Sequence, residues 1–86
     1  MDNGVEITVE RIYKLDSDSS LRGFADISIC KAIIVKGLKI VSGKDGLFVG
    51  MPGQLGKDGK WHNRVLLTDN ALKERLTNLI LSAFDE

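Results

Sequence analysis

The chain has 86 residues, of which 43% are hydrophobic and 28% are charged, a balance typical of one folded domain and not of a disordered segment. Equal numbers of basic and acidic side chains give a formal net charge of zero, which by itself argues against a strong nucleic-acid binder. Residues 21–64 are nevertheless net basic, and they lie between net acidic stretches at residues 1–20 and 65–86. We therefore expect a single domain over residues 1–86 with its positive charge concentrated in the middle of the chain.

The chain contains one cysteine and gives no sign of an export signal or a membrane anchor. Because Cys30 is alone, it excludes an intrachain disulfide and a site with several cysteine ligands, and we expect it to be a small buried hydrophobe within the apolar residues 27–30. Residues 1–4 lack the apolar segment of a signal peptide, and no apolar run approaches the roughly 20 residues that span a bilayer. We therefore expect a cytoplasmic protein without membrane contact.

Alternation of apolar and polar residues predicts five strands before the C-terminal region. Val5, Ile7 and Val9 alternate with polar residues and begin a strand that continues through Tyr13. Further strands are predicted at residues 21–30, 32–41, 47–51 and 61–67. Gly23 indicates a bulge early in the second strand. The polar residues 16–20 and the Asp-Gly pairs at 45–46 and 58–59 are typical of the loops and turns between strands.

The third predicted strand contains an irregularity. Its apolar residues at positions 33 and 35 have one parity and those at positions 38 and 40 have the other, so a regular strand would turn the two pairs to opposite faces. One extra residue at Lys36-Gly37 returns both pairs to the same face. We therefore predict a β-bulge there.

From Asp69 onward the apolar pattern changes to that of a helix, for which Thr68 or Asp69 is a suitable N-cap. Leu81 lies nearly opposite the apolar stripe of this helix, so we expect it to be exposed or to touch a partner chain. The predicted fold class is α+β, a five-stranded antiparallel β-meander with one C-terminal helix packed on a face. The residues of the stripe are Leu72, Leu76, Leu79, Ile80 and Ala83.

The sequence lacks catalytic and cofactor-binding patterns. The single histidine, His62, has only Asp58 as a nearby acidic residue, and a general base needs an orienting partner and a pocket, so we expect His62 at the surface or rim. The frequent glycines between residues 43 and 59 match neither GxxxxGK(S/T) nor GxGxxG, and we interpret them as hairpin turns. No metal-ligand spacing occurs. We therefore predict a protein that is not an enzyme and has no metal or cofactor.

Basic residues gather on and after the second Asp-Gly turn. Lys57, Lys60 and Arg64 lie close together in sequence, with Trp61 among them. Lysine and arginine pair with phosphates, and an aromatic ring can stack on a base, so this combination is typical of nucleic-acid binding. The alternative is a solvated hairpin with Trp61 in the hydrophobic core, and for Trp61 we favour the core.

Residues 43–59 carry a resemblance to a known family. The stretch GKDGLFVGMP at residues 43–52, followed by a loop with Asp58-Gly59, resembles the pattern of SpoVG proteins (stage V sporulation protein G), in which a small turn precedes GLFVAMPS and a basic loop with a D-G turn. Residues 5–12 resemble the first strand of that family, and residues 25–29 resemble its second strand. The resemblance therefore covers nearly the whole chain.

This resemblance implies a homodimer built from paired β-sheets that binds DNA, and in some relatives RNA, and that acts in sporulation, septum formation and the control of surface and virulence genes. In the family, the DNA contacts come from a basic pair just after Met-Pro-Ser. That pair falls on Gln54 and Leu55 here, and the serine is Gly53. We expect Lys57 and Lys60 to compensate for the missing pair, with twofold symmetry doubling their number.

Two functions are compatible with the sequence. In the first, a dimeric regulator binds DNA or RNA, with Lys57, Lys60 and Arg64 contacting phosphates and Gln54 in the same loop. In the second, the same fold is a non-catalytic protein–protein module, in which an edge strand, the Leu81 face or the loop tip contacts a septation or regulatory protein. Leucine at position 55 favours the second function, because an exposed apolar side chain suits a protein surface better than a phosphate.

Overall fold

Within residues 4–16 and 18–85, which the computed structural model describes, the chain forms six strands and one helix. Strands β1 to β4 form an antiparallel sheet in the order β1-β2-β3-β4, and β5 pairs with β6 in a separate two-stranded sheet. The α+β class and the C-terminal helix are confirmed, whereas the single five-stranded sheet is wrong. The bounds are β1 Ile7–Lys14, β2 Leu21–Ile29, β3 Ile33–Gly43, β4 Gly46–Gly50, β5 Gly53–Leu55, β6 Trp61–Asn63 and α1 Asn70–Phe84.

The predicted fifth strand separates from the main sheet at Pro52. Proline has no N–H to donate and restricts the residue before it, so the ladder of β4 stops at Gly50. The glycine-rich loop that follows contributes β5, and of the strand predicted over residues 61–67 only β6 forms. Strands β5 and β6 with their connecting loop, residues 53–63, are called the small hairpin below.

The turn between β2 and β3 shows that the prediction of a buried Cys30 is wrong. Strand β2 ends at Ile29, and Cys30 and Lys31 adopt positive φ angles of 53° and 56°. The Cys30 N–H donates a hydrogen bond of 2.8 Å to the Glu6 carbonyl. Because this left-handed backbone leaves the alternation of the strand, the Cys30 side chain is exposed at the end of the sheet.

The β-bulge predicted at Lys36-Gly37 is confirmed by the pairing of β2 with β3. Ala25 is opposite Leu38 and Ile27 is opposite Val35, so two residues of β3 face one residue of β2. Leu38 is fully buried, and Val35 packs against the same core. The extra residue therefore places the side chains of Val35 and Leu38, one from each half of β3, on the helix side of the sheet.

Asp26 lies opposite this bulge and holds it. The side chain of Asp26 is buried, and its Oδ1 accepts a hydrogen bond of 3.2 Å from the Gly37 N–H. Gly37 has a φ of 82°, a conformation that glycine adopts without the strain imposed by a Cβ. The bulge thus depends on a glycine in β3 and an acceptor in β2.

The bulge predicted beside Gly23 is also confirmed by a register shift between β2 and β3. A Cβ on Gly23 would lie 2.3 Å from the Tyr13 carbonyl oxygen and 3.3 Å from Phe84 Cε1. Strand β1 and the end of α1 therefore approach the backbone at this position more closely than a larger residue allows.

Helix α1 packs on one face of the main sheet. Its N-cap is Asp69, whose Oδ1 accepts hydrogen bonds from the N–H groups of Ala71 at 2.9 Å and Leu72 at 3.3 Å, and this decides between the two predicted caps. No helix in the described part of the chain is long and apolar enough to cross a membrane. The buried core between helix and sheet consists of Ile7, Ala25, Ile27, Leu38, Ile40, Leu72, Leu76 and Ile80.

The buried stripe of α1 differs from the predicted stripe at two leucines. Leu72, Leu76 and Ile80 are buried as predicted, but Leu79 is exposed and Leu81 packs against the core. Residues at i, i+4 and i+8 drift slowly around a helix, because four residues exceed one turn of 3.6. The contact face therefore turns toward Leu81 and away from Leu79 along the helix.

We predict that Gly37→Ala lowers the free energy of unfolding by about 1 kcal/mol or more, because an L side chain is strained at this φ even though no atom obstructs the new Cβ. Gly50→Ala in β4 is the matched control, since its Cβ would meet Lys39 Cβ at an ordinary contact distance of 3.8 Å. We expect the control to change stability by less than about 0.5 kcal/mol. Urea denaturation measures both values, and equal losses would contradict the role of Gly37.

Candidate functional site

The small hairpin has two faces with different chemistry. Gln54 is paired with His62 and Leu55 with Trp61, and backbone hydrogen bonds of 2.8 Å extend the ladder from Arg64 N–H to the Pro52 carbonyl and from Gly56 N–H to the Lys60 carbonyl. Because side chains alternate along a strand, the even-numbered residues share one face and the odd-numbered residues share the other. The even face is polar and cationic, whereas the odd face carries Leu55 and Trp61.

The loop of the small hairpin is built on the second predicted Asp-Gly turn. The Gly59 N–H donates to the Gly56 carbonyl at 3.1 Å, and Gly59 has a φ of 78°. Asp58 Oδ1 accepts a hydrogen bond of 3.0 Å from the Lys60 N–H, in the manner of an aspartate that closes its own turn. The loop conformation therefore fixes the backbone positions from which the side chains of Lys57, Asp58 and Lys60 extend.

Three of the four predicted site residues line one cleft, which combines side chains of the even face with Leu55 and with residues of the loop. This cationic cleft has a volume of about 430 Å³. Gln54, Lys57 and Arg64 line it as members of the predicted site, and His62 joins them although we did not predict it there. Lys60 is exposed on the same hairpin but does not line the cleft. The full lining is Gln54, Leu55, Gly56, Lys57, His62 and Arg64.

Arg64 and Gln54 are joined across the two strands. The Arg64 Nη2 donates a hydrogen bond to Gln54 Oε1. Both side chains are exposed, and the guanidinium has further N–H groups that this bond does not use. A positive charge therefore lies beside position 54, supplied from the opposite strand.

His62 and Asp58 form an ion pair when the imidazole is protonated. His62 Nε2 lies 3.1 Å from Asp58 Oδ1 and 3.2 Å from Asp58 Oδ2. The hydrogen bond from the Lys60 backbone, followed by that from the His62 side chain, lowers the pKa of the Asp58 carboxyl below its usual value. His62 is exposed, as predicted. The four-residue spacing of Asp58 and His62 across a turn was the available signal for this pair.

Trp61 lies on the odd face of the small hairpin, and the prediction that it is in the core is wrong. Its side chain is 47% exposed, and Lys39 Nζ lies 4.0 Å from the ring centroid. The indole Nε1 donates a hydrogen bond of 2.9 Å to Asn63 Oδ1. Because β6 lies outside the main sheet, the Trp61 ring packs on Lys39 of β3 and does not enter the hydrophobic core. This contact anchors the small hairpin on the main sheet.

Both aromatic side chains of β6 lie close to a glycine. A Cβ on Gly53 would be 2.6 Å from Trp61 Nε1 and 2.6 Å from the His62 carbonyl oxygen. A Cβ on Gly56 would be 2.6 Å from His62 Cδ2. The family pattern has serine at position 53, and the position of the Trp61 ring gives a physical reason for glycine in this chain.

Together these features define a small α+β protein in which one helix backs an antiparallel sheet and an exposed hairpin gathers cations around a cleft. A family model, that of SpoVG, matches residues 5–86. Similar proteins from three organisms bear the name "Putative septation protein SpoVG". The protein from Archaeoglobus fulgidus is 35% identical over 81 residues, covering 94% of this chain and 95% of the relative.

Two bacterial relatives match over the same extent of this chain. The protein from Macrococcus caseolyticus is 26% identical over 82 residues, covering 95% of this chain and 71% of the relative. The protein from Treponema denticola is 24% identical over 82 residues, covering 95% of this chain and 88% of the relative. The chain belongs to the SpoVG family, and the resemblance based on GLFVGMP is confirmed.

We predict that Gly53→Ala displaces the ring of Trp61, because the new Cβ would overlap both the indole and the backbone of His62. Trp61 is the single tryptophan of the chain, so its fluorescence reports on this ring alone. The emission maximum should move to longer wavelength as the ring leaves Gly53 and becomes more exposed. Gly50→Ala, the same change three residues earlier, should leave the emission in place. An unchanged emission in Gly53→Ala would show that the ring does not rest on Gly53.

Proposed function

We propose that this protein is a small dimeric regulator that binds DNA or RNA through the cationic cleft and acts in the control of sporulation or septation. The observation that carries the proposal is the convergence of Lys57 and Arg64 on one cleft around Gln54. The proposed role in septation is taken from the names of the relatives. The chemistry of the cleft supplies the nucleic-acid role.

The guanidinium of Arg64 supports the proposal, because it compensates for a departure from the family pattern. The family places its DNA-contacting cations just after Met-Pro-Ser, where this chain has Gln54 and Leu55. Arg64 reaches the same place from the neighbouring strand, where its Nη2 meets the Gln54 amide. A phosphate responds to the position of a charge in space and not to the position of the residue in the sequence. Position 54 therefore has a cation beside it although the basic pair of the family is absent.

Lysines add to the positive field of the cleft, and one carboxylate opposes it. Lys57 lines the cleft, and Lys60 is held opposite Gly56 by the backbone hydrogen bond of the ladder. Asp58 is directed toward the Lys60 N–H and the His62 ring. Both hydrogen bonds hold the carboxylate within the loop, where its negative charge offsets part of the positive charge of the lysines.

We predict that the protein binds mixed-sequence DNA and RNA at about 50 mM salt with a dissociation constant near or below about 10⁻⁵ M, and that binding weakens steeply as salt is raised. Lys57→Ala/Lys60→Ala should weaken binding and lower the slope of log K against log salt by about 1.8 for each cleft that contacts the duplex, because each lost phosphate contact removes about 0.9. Fluorescence anisotropy of a labelled nucleic acid measures both quantities. Arg64→Gln should lower the slope by about 0.9 for each cleft that is bound.

The matched control for this experiment is Lys31→Ala/Lys44→Ala. It removes two exposed lysines from the turns at residues 30–32 and 44–45, and so makes the same change in net charge away from the cleft. The control should retain most of the affinity. Absence of binding at low salt, or equal losses in both double variants, would contradict the proposed site.

Dimer formation is the second part of the proposal, and the sheet face away from α1 supports it. Alternation along the strands places Tyr13, Ile34 and Phe48 on this outer face, since the residues next to them, Ile12, Val35 and Val49, pack against the core on the helix side. The three side chains are between 43% and 53% exposed. An 86-residue chain buries a smaller share of its unfolded surface than a larger domain does, and a second copy on this face would add to that burial.

We predict a dimer by light scattering at tens of micromolar protein. Ile34→Glu should shift the distribution toward the monomer, because it replaces an exposed apolar side chain of the proposed interface by a charge. Leu66→Glu is the control, since Leu66 is 69% exposed and lies outside the main sheet, in the segment between β6 and α1. A monomeric parent protein, or dissociation by both variants alike, would contradict an interface on the outer face.

The alternative function is a protein–protein module of the same fold without nucleic-acid binding. One observation favours it: Leu55 is 64% exposed at the rim of the cationic cleft. A partner protein that is retained after nuclease treatment and lost in Leu55→Asp, but not in Leu66→Asp, would support this function.

A further inference from the structure

The ring of His62 is placed among groups of opposite charge in the cationic cleft. Its Nε2 is within hydrogen-bond distance of both oxygens of Asp58, at 3.1 and 3.2 Å. Its Cδ2 edge lies against Gly56, where no side chain intervenes. Lys57 of the loop and Arg64 at the end of β6 line the same cleft. The imidazole therefore contacts one carboxylate and lines the same cleft as two cations.

The protonation state of His62 changes the charge of the whole cleft. The charged groups that surround it are Asp58, Lys57 and Lys60 from the loop and Arg64 from the end of β6, while β5 contributes the neutral Gln54. A neutral imidazole leaves the charge of Asp58 to oppose an incoming anion. An imidazolium offsets the charge of Asp58, and both of its ring nitrogens are hydrogen-bond donors.

We propose that His62 is a proton-dependent phosphate contact of the cationic cleft, so that nucleic acid binds more tightly when the imidazole is protonated. This inference rests on the proposed function and adds a regulation of the same site. By linkage, a phosphodiester that favours the imidazolium must bind more tightly as pH falls through the range in which the imidazole takes up its proton. Histidine side chains in general titrate near about pH 6.5, so the comparison lies between about pH 5.5 and about pH 8.

The composition of the chain makes this inference testable. His62 is the single histidine, and Cys30 is the single cysteine. Apart from His62, the groups that ordinarily change charge toward the upper end of this range are the α-amino group and the thiol. Both groups remain in His62→Gln. A pH effect that disappears in this variant therefore belongs to His62.

The experiment is anisotropy of a labelled deoxythymidine oligomer with the full chain, at about pH 5.5 and about pH 8 and over a range of salt. We expect the parent protein to bind several-fold more tightly at the lower pH. The slope of log K against log salt should steepen by up to about 0.7 for each cleft that binds the strand, the value for one added contact to a single strand. His62→Gln, whose amide can still donate to Asp58, should bind equally at both pH values.

A change at Asp58 tests the opposing charge. Asp58→Asn keeps an Oδ1 that accepts the hydrogen bond from Lys60, so the turn is preserved, but it removes the carboxylate charge. We expect it to bind more tightly than the parent protein at about pH 8. Asp45→Asn in the other Asp-Gly turn removes the same charge away from the cleft and should have no such effect.

An NMR titration of the His62 ring in the parent protein makes the test independent of the variants. Adding the oligomer should raise the pH at which the ring signals move, since bound phosphate favours the imidazolium. An unmoved titration, or an equal pH effect in the parent protein and His62→Gln, would overturn this inference and leave the proposed function standing. Absence of binding at both pH values would overturn the proposed function, and this inference with it.

Discussion

The bulge at Lys36-Gly37 is the constraint on which the rest of the structure depends. Strand β3 lies between β2 and β4, and its apolar residues change parity in the middle. The extra residue restores one apolar face, and the Asp26 carboxylate accepts the Gly37 N–H that the irregular backbone would otherwise leave unpaired. A buried carboxylate is costly unless it is hydrogen bonded, so Asp26 and Gly37 depend on each other.

The same bulge positions the candidate site. With Leu38 and Ile40 turned to the helix, Lys39 faces the outer side of the sheet. There it lies against the Trp61 ring and holds the odd face of the small hairpin. The even face, with the cationic cleft, is consequently directed away from this anchor. A parity change in β3 thus determines, through one lysine, which face of the small hairpin is free to bind.

Glycine gives the small hairpin its stability as well as its turns. Each strand has only three residues, and a two-stranded hairpin of this length is marginal in water by itself. Gly53 lets the Trp61 ring lie against the backbone on one face, and Gly56 lets the His62 ring lie against it on the other. The aromatic rings thereby bury backbone that longer strands would cover with neighbouring side chains.

Features that depend on neighbouring residues in the chain could be predicted from the sequence, and features that depend on distant residues could not. The bulge follows from parity within β3, and the helix cap follows from Asp69 and the N–H groups just after it. The exposure of Trp61 could not be predicted, because it depends on Pro52 diverting the chain and on a lysine 22 residues away in sequence. Cys30 escaped prediction because apolar alternation does not indicate where a strand ends.

In the candidate site, Lys57 and Arg64 could be found from their spacing around a turn, whereas their distance from Gln54 could not. Residues 54 and 64 are ten apart in sequence, and only the register of β5 with β6 brings them together. A two-residue change of register would place Arg64 beside another residue of β5. The charge pattern of this surface is therefore a property of the pairing.

Few cations line the cleft of one chain, so the proposed dimer matters for binding as well as for stability. The outer face proposed for dimerisation and the cationic cleft use different residues, since Trp61 rests near the former while Lys57 and Arg64 face the latter. A twofold axis through the outer face would leave both clefts accessible. In the proposed dimer, a second cleft would bind a continuous nucleic acid as an intramolecular event, with an effective concentration on the order of millimolar. Two weak sites joined in this way can hold a strand that neither would hold alone, and the salt dependence would then count the cations of both chains.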